Sequence, residues 1–260
     1  MAYLSLLAHL CCRIRKQSPL ALFAALVAFC GPVHAETLQV FGGDTFAPTT
    51  HLVNGEPAGA LVDILKKVSE KTGDTYQVRL LPWTRAYDLA MRGEGAIVGL
   101  SMTPQRQEIF DYSEPMYYNE LQLIVAKGNE FPFKRLEDLK GRTVGGGTGV
   151  SYGVEVDAAI EAGLFTLERD TDATVRLQKV LAGQLQAAII GHGAPGLESL
   201  VLNHPRLQGR RDDFRALPKP LAINPLYFAV KKTLQQREVI DRFNKALLEL
   251  RRSGALKATR

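Results

Sequence analysis

The chain has 260 residues, 46% hydrophobic and 23% charged, with 23 Gly and 13 Pro. That composition excludes disordered, collagenous and coiled-coil classes, and the length fits one large domain or two lobes of about 100 residues each. No apolar run reaches the roughly 18–20 residues of a membrane-spanning helix, and a formal charge of +5 is too small an excess to indicate nucleic-acid binding.

The N-terminus reads as an export signal. Arg13, Arg15 and Lys16 form a basic cluster, Leu20 to Cys30 is apolar, and Val33-His34-Ala35 offers a peptidase site. This order predicts a signal peptide over 1–35, with Glu36 as the first mature residue. Bulky Phe29 before Cys30 argues against a lipid anchor there. The segment holds no acid, so the rest of the chain carries about +2. Cys11, Cys12 and Cys30 all lie in the signal, which leaves the mature chain no cysteine for thiol, disulfide or Cys–metal chemistry. Of its three histidines, His51, His192 and His204, no two stand at i, i+4, so the zinc-helix pattern is absent and no metal or cofactor is expected.

Short strands and amphipathic helices then alternate. Strands are expected at 38–41, 76–81 and 96–100, with helices over 59–72 and 84–92. A loop containing Gly42, Gly43 and Pro48 is expected between the first strand and the first helix. A further strand is expected to start at Tyr117 and Tyr118. The second set has strands at 142–145, 165–168 and 187–190 and helices near 151–162, 172–182 and 195–202. The last helix places Val239, Ile240, Phe243, Ala246, Leu247 and Leu250 on one face, with Gly254 after it. Two stretches match each other: Ala90-Met91-Arg92-Gly93 leads into Ala96-Ile97-Val98-Gly99, and Val180-Leu181-Ala182-Gly183 into Ala187-Ala188-Ile189-Ile190-Gly191. Repeated β-α-β units with near-continuous apolar strands predict two α/β lobes, each a mainly parallel sheet flanked by helices. Ligands of such sheets bind beyond the carboxyl ends of the strands. That directs attention to 42–51, 82–85, 99–106, 145–152 and 191–195.

Each of these segments offers candidates. Arg106 follows a strand end, where a guanidinium can take a carboxylate bidentately, with Ser101 and Thr103 hydroxyls beside it; the alternative is a capping turn with a surface Arg. The run Gly145 to Gly153 precedes a helix and so offers backbone N–H groups to an anion, but it lacks the Lys-Ser/Thr ending of a nucleotide loop. Gly149-Val150-Ser151-Tyr152-Gly153 also matches the nucleophile elbow of serine hydrolases, with Asp172 and His204 downstream. That elbow needs a strand running into its first Gly, and Gly145 to Thr148 make a poor one. Phe46 and the single Trp, Trp83, are either ligand walls or core plugs.

Six segments, in order, resemble the bacterial extracellular solute-binding proteins of the polar amino-acid type, family 3. They are Gly59-Ala60-Leu61-Val62-Asp63; Pro82-Trp83 with Gly93; Thr103-Pro104-Gln105-Arg106; Phe110 to Tyr117; Leu136 to Gly145; and Ala246 to Leu250 with Ser253-Gly254. The resemblance implies the two-lobe periplasmic-binding-protein fold (type II), with lobe 1 at 36–118 and 224–260 and lobe 2 at 119–223. It implies a monomeric, non-enzymatic receptor that traps a small solute and passes it to ABC permease subunits of the inner membrane. Carried over by position, Arg106 meets a ligand carboxylate with Ser101 and Thr103, Val150 and Ser151 offer lobe 2 donors, and Phe46 and Trp83 form walls. The acid that receives a ligand ammonium in the family falls at Gly191, which leaves Asp44, ahead of Asp63, as a replacement. Gly95 and Gln186 stand where the family has Asp before its strands. A dehydratase on the same scaffold and a sensory receptor without an importer are the other readings of the resemblance.

Overall fold

The computed structural model describes residues 35–256; the expected signal and its cleavage site at Ala35 lie outside or at the edge of that range. In chain order the elements are β1 (Thr37–Gly43), β2 (Thr45–Phe46), β3 (Thr50–Val53), β4 (Glu56–Ala58), α1 (Ala60–Thr72), β5 (Thr75–Leu81), α2 (Trp83–Arg92), β6 (Ala96–Ser101), α3 (Pro104–Ile109), β7 (Phe110–Tyr112) and β8 (Tyr117–Ala126). They continue as β9 (Thr143–Gly147), α4 (Val154–Glu161), β10 (Thr166–Asp170), α5 (Ala173–Leu181), β11 (Ala187–Ile190), α6 (Gly193–Asn203), β12 (Phe214–Ala216), β13 (Ala222–Lys231) and α7 (Arg237–Arg252). No described helix is long and apolar enough to cross a membrane.

One sheet runs through both lobes in the order β10-β9-β11-β8-β13-β6-β1-β5. At one end β5, β1 and β6 are parallel, and at the other so are β10, β9 and β11. Between them β8 and β13 pair antiparallel with each other over Tyr117–Leu121 and Ala222–Leu226. The rest of each strand joins a different lobe: β8 continues against β11 and β12, and β13 against β6 and β7. Two long strands therefore cross from lobe to lobe.

Alternation along these strands builds a core on each face. Leu226, Phe228 and Val230 of β13 point to the core under α1 and α7, while Ala229 points to the one under α2. Leu121, Leu123 and Val125 of β8 face the α4 side of lobe 2, and Ile124 faces α5 and α6. Helix α1 buries Leu61, Ile64, Leu65 and Val68, the i, i+3, i+4, i+7 stripe its sequence carries, and α7 buries the six apolar residues read from its face. The matched stretches fold alike: α2 and α5 are followed by Gly93 and Gly183, both with positive φ (79° and 72°), before the buried strands β6 and β11.

Three local expectations are corrected. The loop at 42–51 is a small antiparallel meander, β2-β3-β4, appended to lobe 1. The helix expected from 151 starts at Val154. The strand expected at 142–145 runs on through Gly146 and Gly147. A Cβ on Gly145 would stand 2.6 Å from Arg176 Cγ, and one on Gly146 2.5 Å from Tyr152 Oη. The run is glycine because those side chains pack against the strand. Three N–H groups of the run are bonded within the protein: Gly147 donates to Tyr152 Oη (2.5 Å), Thr148 to the Asp170 carbonyl (2.7 Å) and Tyr152 to Asp157 Oδ1 (2.9 Å).

Candidate functional site

The carboxyl ends of β1, β5 and β6 in lobe 1 and of β9 and β11 in lobe 2 bring most of the candidate residues into two groups. The first surrounds the backbone of Gly149–Ser151. Thr103 caps α3: its side chain accepts from the Arg106 N–H (3.2 Å), and Pro104 starts the helix. The cap sets the direction of the Arg106 side chain. Its guanidinium donates to the Ser101 carbonyl (3.1 Å) and, across the lobes, to the Gly149 carbonyl (3.0 Å), and it lies 5.0 Å over the Tyr87 ring. Trp83 stacks on Tyr87 at 6.2 Å, and its indole N–H donates to the same Gly149 carbonyl (3.1 Å). Ser101 is buried and donates through Oγ to the Ser151 carbonyl (3.3 Å). The Ser101 carbonyl also accepts from the Tyr112 phenol (3.4 Å), whose pKa burial pushes well above the usual range. A cavity of about 270 Å³ opens beside Arg106, with Tyr87 and Thr103 on one side and Val150, Asp157 and Arg169 on the other.

Ser151 is not set up as a nucleophile. Its hydroxyl donates to a carboxylate, Asp157 Oδ2, at 2.5 Å rather than to an imidazole, and Asp157 reaches back from the first turn of α4. The Gly-x-Ser-x-Gly spacing here reflects the approach to that helix. Val150 lends its carbonyl to Arg169 (3.1 Å) and its side chain to the cavity wall.

The second group surrounds Gly191, at the end of β11. A Cβ on Gly191 would lie 3.0 Å from Phe46 Cε2 and 3.0 Å from Asn119 Oδ1. The Phe46 ring thus occupies the space into which a side chain at 191 would project. Phe46 also packs on His192, with ring centroids 4.5 Å apart. Asp44 is half-buried just beyond the end of β1; it follows Gly43, whose absent Cβ would sit 3.8 Å from Trp83, and its N–H donates to the Leu81 carbonyl (3.1 Å). Asp63 stands exposed on α1.

Several residues of the site were not singled out in the sequence. Asn119 and Asn224 are directly opposite each other in the β8–β13 pair and both are buried. Asn224 donates to Ser101 Oγ (3.0 Å) and to the Ser151 carbonyl (2.9 Å), which serves the first group. Asn119 accepts from the His192 N–H (2.8 Å), which serves the second. One cross-strand pair therefore holds both groups at the crossing point of the lobes. The available signal was an Asn on the buried side of each long apolar strand, where a polar group needs a partner.

Comparison with known proteins agrees with this architecture. The model of the bacterial extracellular solute-binding proteins, family 3, matches residues 38–260. A probable amino-acid-binding protein of Bacillus subtilis, YxeM, is 21% identical over 212 residues, covering 81% of this chain and 77% of that protein. The arginine-binding extracellular protein ArtP of the same organism is 26% identical over 200 residues, covering 75% and 73%. Among solved structures, a histidine kinase sensor domain similar to periplasmic binding proteins superposes with a TM-score of 0.72 at 23% identity, covering 86% of this chain and 93% of that one. An ancestral arginine-binding protein bound to arginine gives 0.67 at 23%, covering 84% and 93%. At these identities the structural likeness is one of fold. Through the family match across nearly all of the described residues, the chain belongs to the bacterial extracellular solute-binding proteins, family 3.

Proposed function

We propose that the protein is a periplasmic receptor that traps a small, carboxylate-bearing solute between lobe 1 (36–118 and 224–260) and lobe 2 (119–223). It hands the solute to the permease of an ABC importer. Export depends on the signal at 1–35, and the mature chain acts as a monomer. The observation that carries the reading is the state of Arg106. Among the described residues its guanidinium forms no ion pair; its acceptors are two carbonyls, one from each lobe. A solute carboxylate exchanges a neutral acceptor for a charged one and so gains a stronger, bidentate bond. The amino-acid-binding names of YxeM and ArtP support an amino-acid-like size for the solute. The Ser151–Asp157 bond supports a binding site over a hydrolytic one.

A thermal-shift screen over amino acids, polyamines, dicarboxylates and aromatic acids identifies the solute class. A compound present at 100 times its dissociation constant adds about 2.7 kcal/mol of stability. For the compound that gives the largest shift, Arg106→Ala is expected to weaken binding about 10- to 150-fold, the value of a charge-assisted bond worth roughly 1.5–3 kcal/mol. Titration calorimetry on the folded variant checks it, and an unchanged dissociation constant removes Arg106 from the site.

A further inference from the structure

We propose that His192 is a latch on lobe closure: its neutral imidazole joins the two lobes across the cleft, and the closed arrangement requires it to be unprotonated. The inference goes beyond solute binding and holds whichever solute the cleft accepts.

His192 follows Gly191 at the end of β11 and caps α6 with a left-handed backbone (φ 66°). Its side chain is buried against lobe 1. The ring lies 4.5 Å from Phe46 and 5.5 Å, edge-on, from Tyr117, and Nε2 is 3.2 Å from Thr49 Oγ1. The hydroxyl fixes the tautomer. Thr49 has one proton to give, and it goes to the Phe46 carbonyl at 2.7 Å. Toward His192 the Thr49 oxygen therefore accepts, so Nε2 carries the hydrogen. Nδ1 is left as a bare lone pair, buried and without a partner among the described residues.

A second proton would have to go on Nδ1. It would create a buried charge with a new N–H and no acceptor, at the positive end of α6. The titratable groups on the elements packed against the ring are Tyr117 and Glu120 of β8, Asp44 and His51 on either side of the β2–β3 turn, and Glu198 of α6. Burial first, then the Glu120 charge, raises the Tyr117 phenol, so it stays neutral. The Glu120 carboxylate sits over Gly193, where a Cβ would be 2.7 Å from Oε1. Burial pushes His192 down from 6.5 to about 4, against a smaller upward pull from the Phe46 carbonyl. Opening the lobes would expose the ring and return it to its ordinary value. The closed form then binds fewer protons than the open form. Closure is at full strength above about pH 6.5, and the closed-to-open ratio falls by about tenfold per pH unit between 6.5 and 4.

The test uses ligand-free protein, so it stands apart from the solute reading. Three signals are followed from pH 8 to pH 4, with circular dichroism to confirm that the chain stays folded: NMR of the His192 ring, the scattering radius of gyration, and the emission of Trp83, the only tryptophan, which bonds across the cleft. The expected result is an Nε2–H tautomer at pH 8. As pH falls, the radius should rise and Trp83 emission should shift to longer wavelength in step with His192 titration. His192→Gln keeps a donor near Nε2 but has nothing to titrate, and it should abolish the step. Thr49→Val leaves the left-handed position untouched and should move the step toward pH 6.5. A ring titrating near 6.5 in the ligand-free protein, a radius that does not respond, or a step that survives His192→Gln overturns the proposal.

Discussion

Asp170→Ala is expected to lower the unfolding free energy by about 3–5 kcal/mol, the cost of leaving a buried charge without its partner. Asp170 ends β10, and its carboxylate receives two bonds from Arg176 of α5, Nε to Oδ2 at 2.9 Å and Nη2 to Oδ1 at 2.8 Å. The third Arg176 bond goes to the Ile189 carbonyl of β11 at 2.8 Å. Both side chains are largely buried, at 9% and 13% exposure. The Arg thus ties the ends of β10 and β11, and its stem packs on Gly145 of β9 between them. Removing the carboxylate leaves the guanidinium buried with one carbonyl acceptor. Against a typical stability of about 5–15 kcal/mol this is a large fraction. Urea denaturation of the variant should show it as a lower midpoint. Replacing both partners, Asp170→Leu with Arg176→Met, should recover most of the loss, because the cost belongs to the unpaired charge rather than to the pair. A midpoint within experimental scatter of the parent for Asp170→Ala would mean that water reaches the guanidinium.

How much of this was legible depends on where the determining contacts lie in sequence. Helices α1 and α7 carry their burial pattern in their own spacing, and the matched stretches around Gly93 and Gly183 signalled a repeated unit. Strands β2, β7 and β12, of two or three residues, are too short to show a period. Gly146 and Gly147 read as a poor strand because glycine is disfavoured there; the reasons for glycine at 145 and 146 are Arg176 and Tyr152, which only the fold brings there. In the site, Arg106 and Ser101 were readable as polar residues just beyond a strand end. His192 was only one histidine among three, because Thr49 lies 143 residues away in sequence. Asn119 and Asn224 needed the register of two strands about 100 residues apart. Local chemistry marked the Arg106 side of the cleft, and tertiary pairing built the rest.

Standard zwitterionic L-amino acids are expected to give no micromolar binding heat, whereas carboxylates with an aromatic or apolar body should bind. The reasoning begins with charge. An ammonium enclosed between the lobes loses its water, and without a counter-ion that costs several kcal/mol. Gly191 has no side chain to supply one, and a Cβ there would stand 3.0 Å from both the Phe46 ring and the Asn119 amide, so a side chain would need these neighbours to give way. The neighbouring His192 imidazole carries no negative charge in either protonation state, so it cannot serve as the counter-ion. What the second group presents instead is aromatic surface, Phe46 with Trp83 beyond Gly43, which suits an apolar body whose carboxylate reaches Arg106. Other acids stand near the cleft, Asp157 bonded to Ser151 and Tyr152 and Glu120 over Gly193; with Asp44 ranked first by position, either Asp44 takes the ammonium or the solute lacks one. Calorimetry with the standard amino acids on the parent and on Asp44→Asn separates the branches. Binding that Asp44→Asn abolishes assigns the ammonium to Asp44, whereas micromolar binding that survives it refutes both branches. A converse variant sharpens the point: Gly191→Asp alone crowds the Phe46 ring, so Phe46→Ala accompanies it to make room. If the missing acid is what excludes zwitterions, the double variant should gain affinity for them, because it restores both the charge and the space that charge requires.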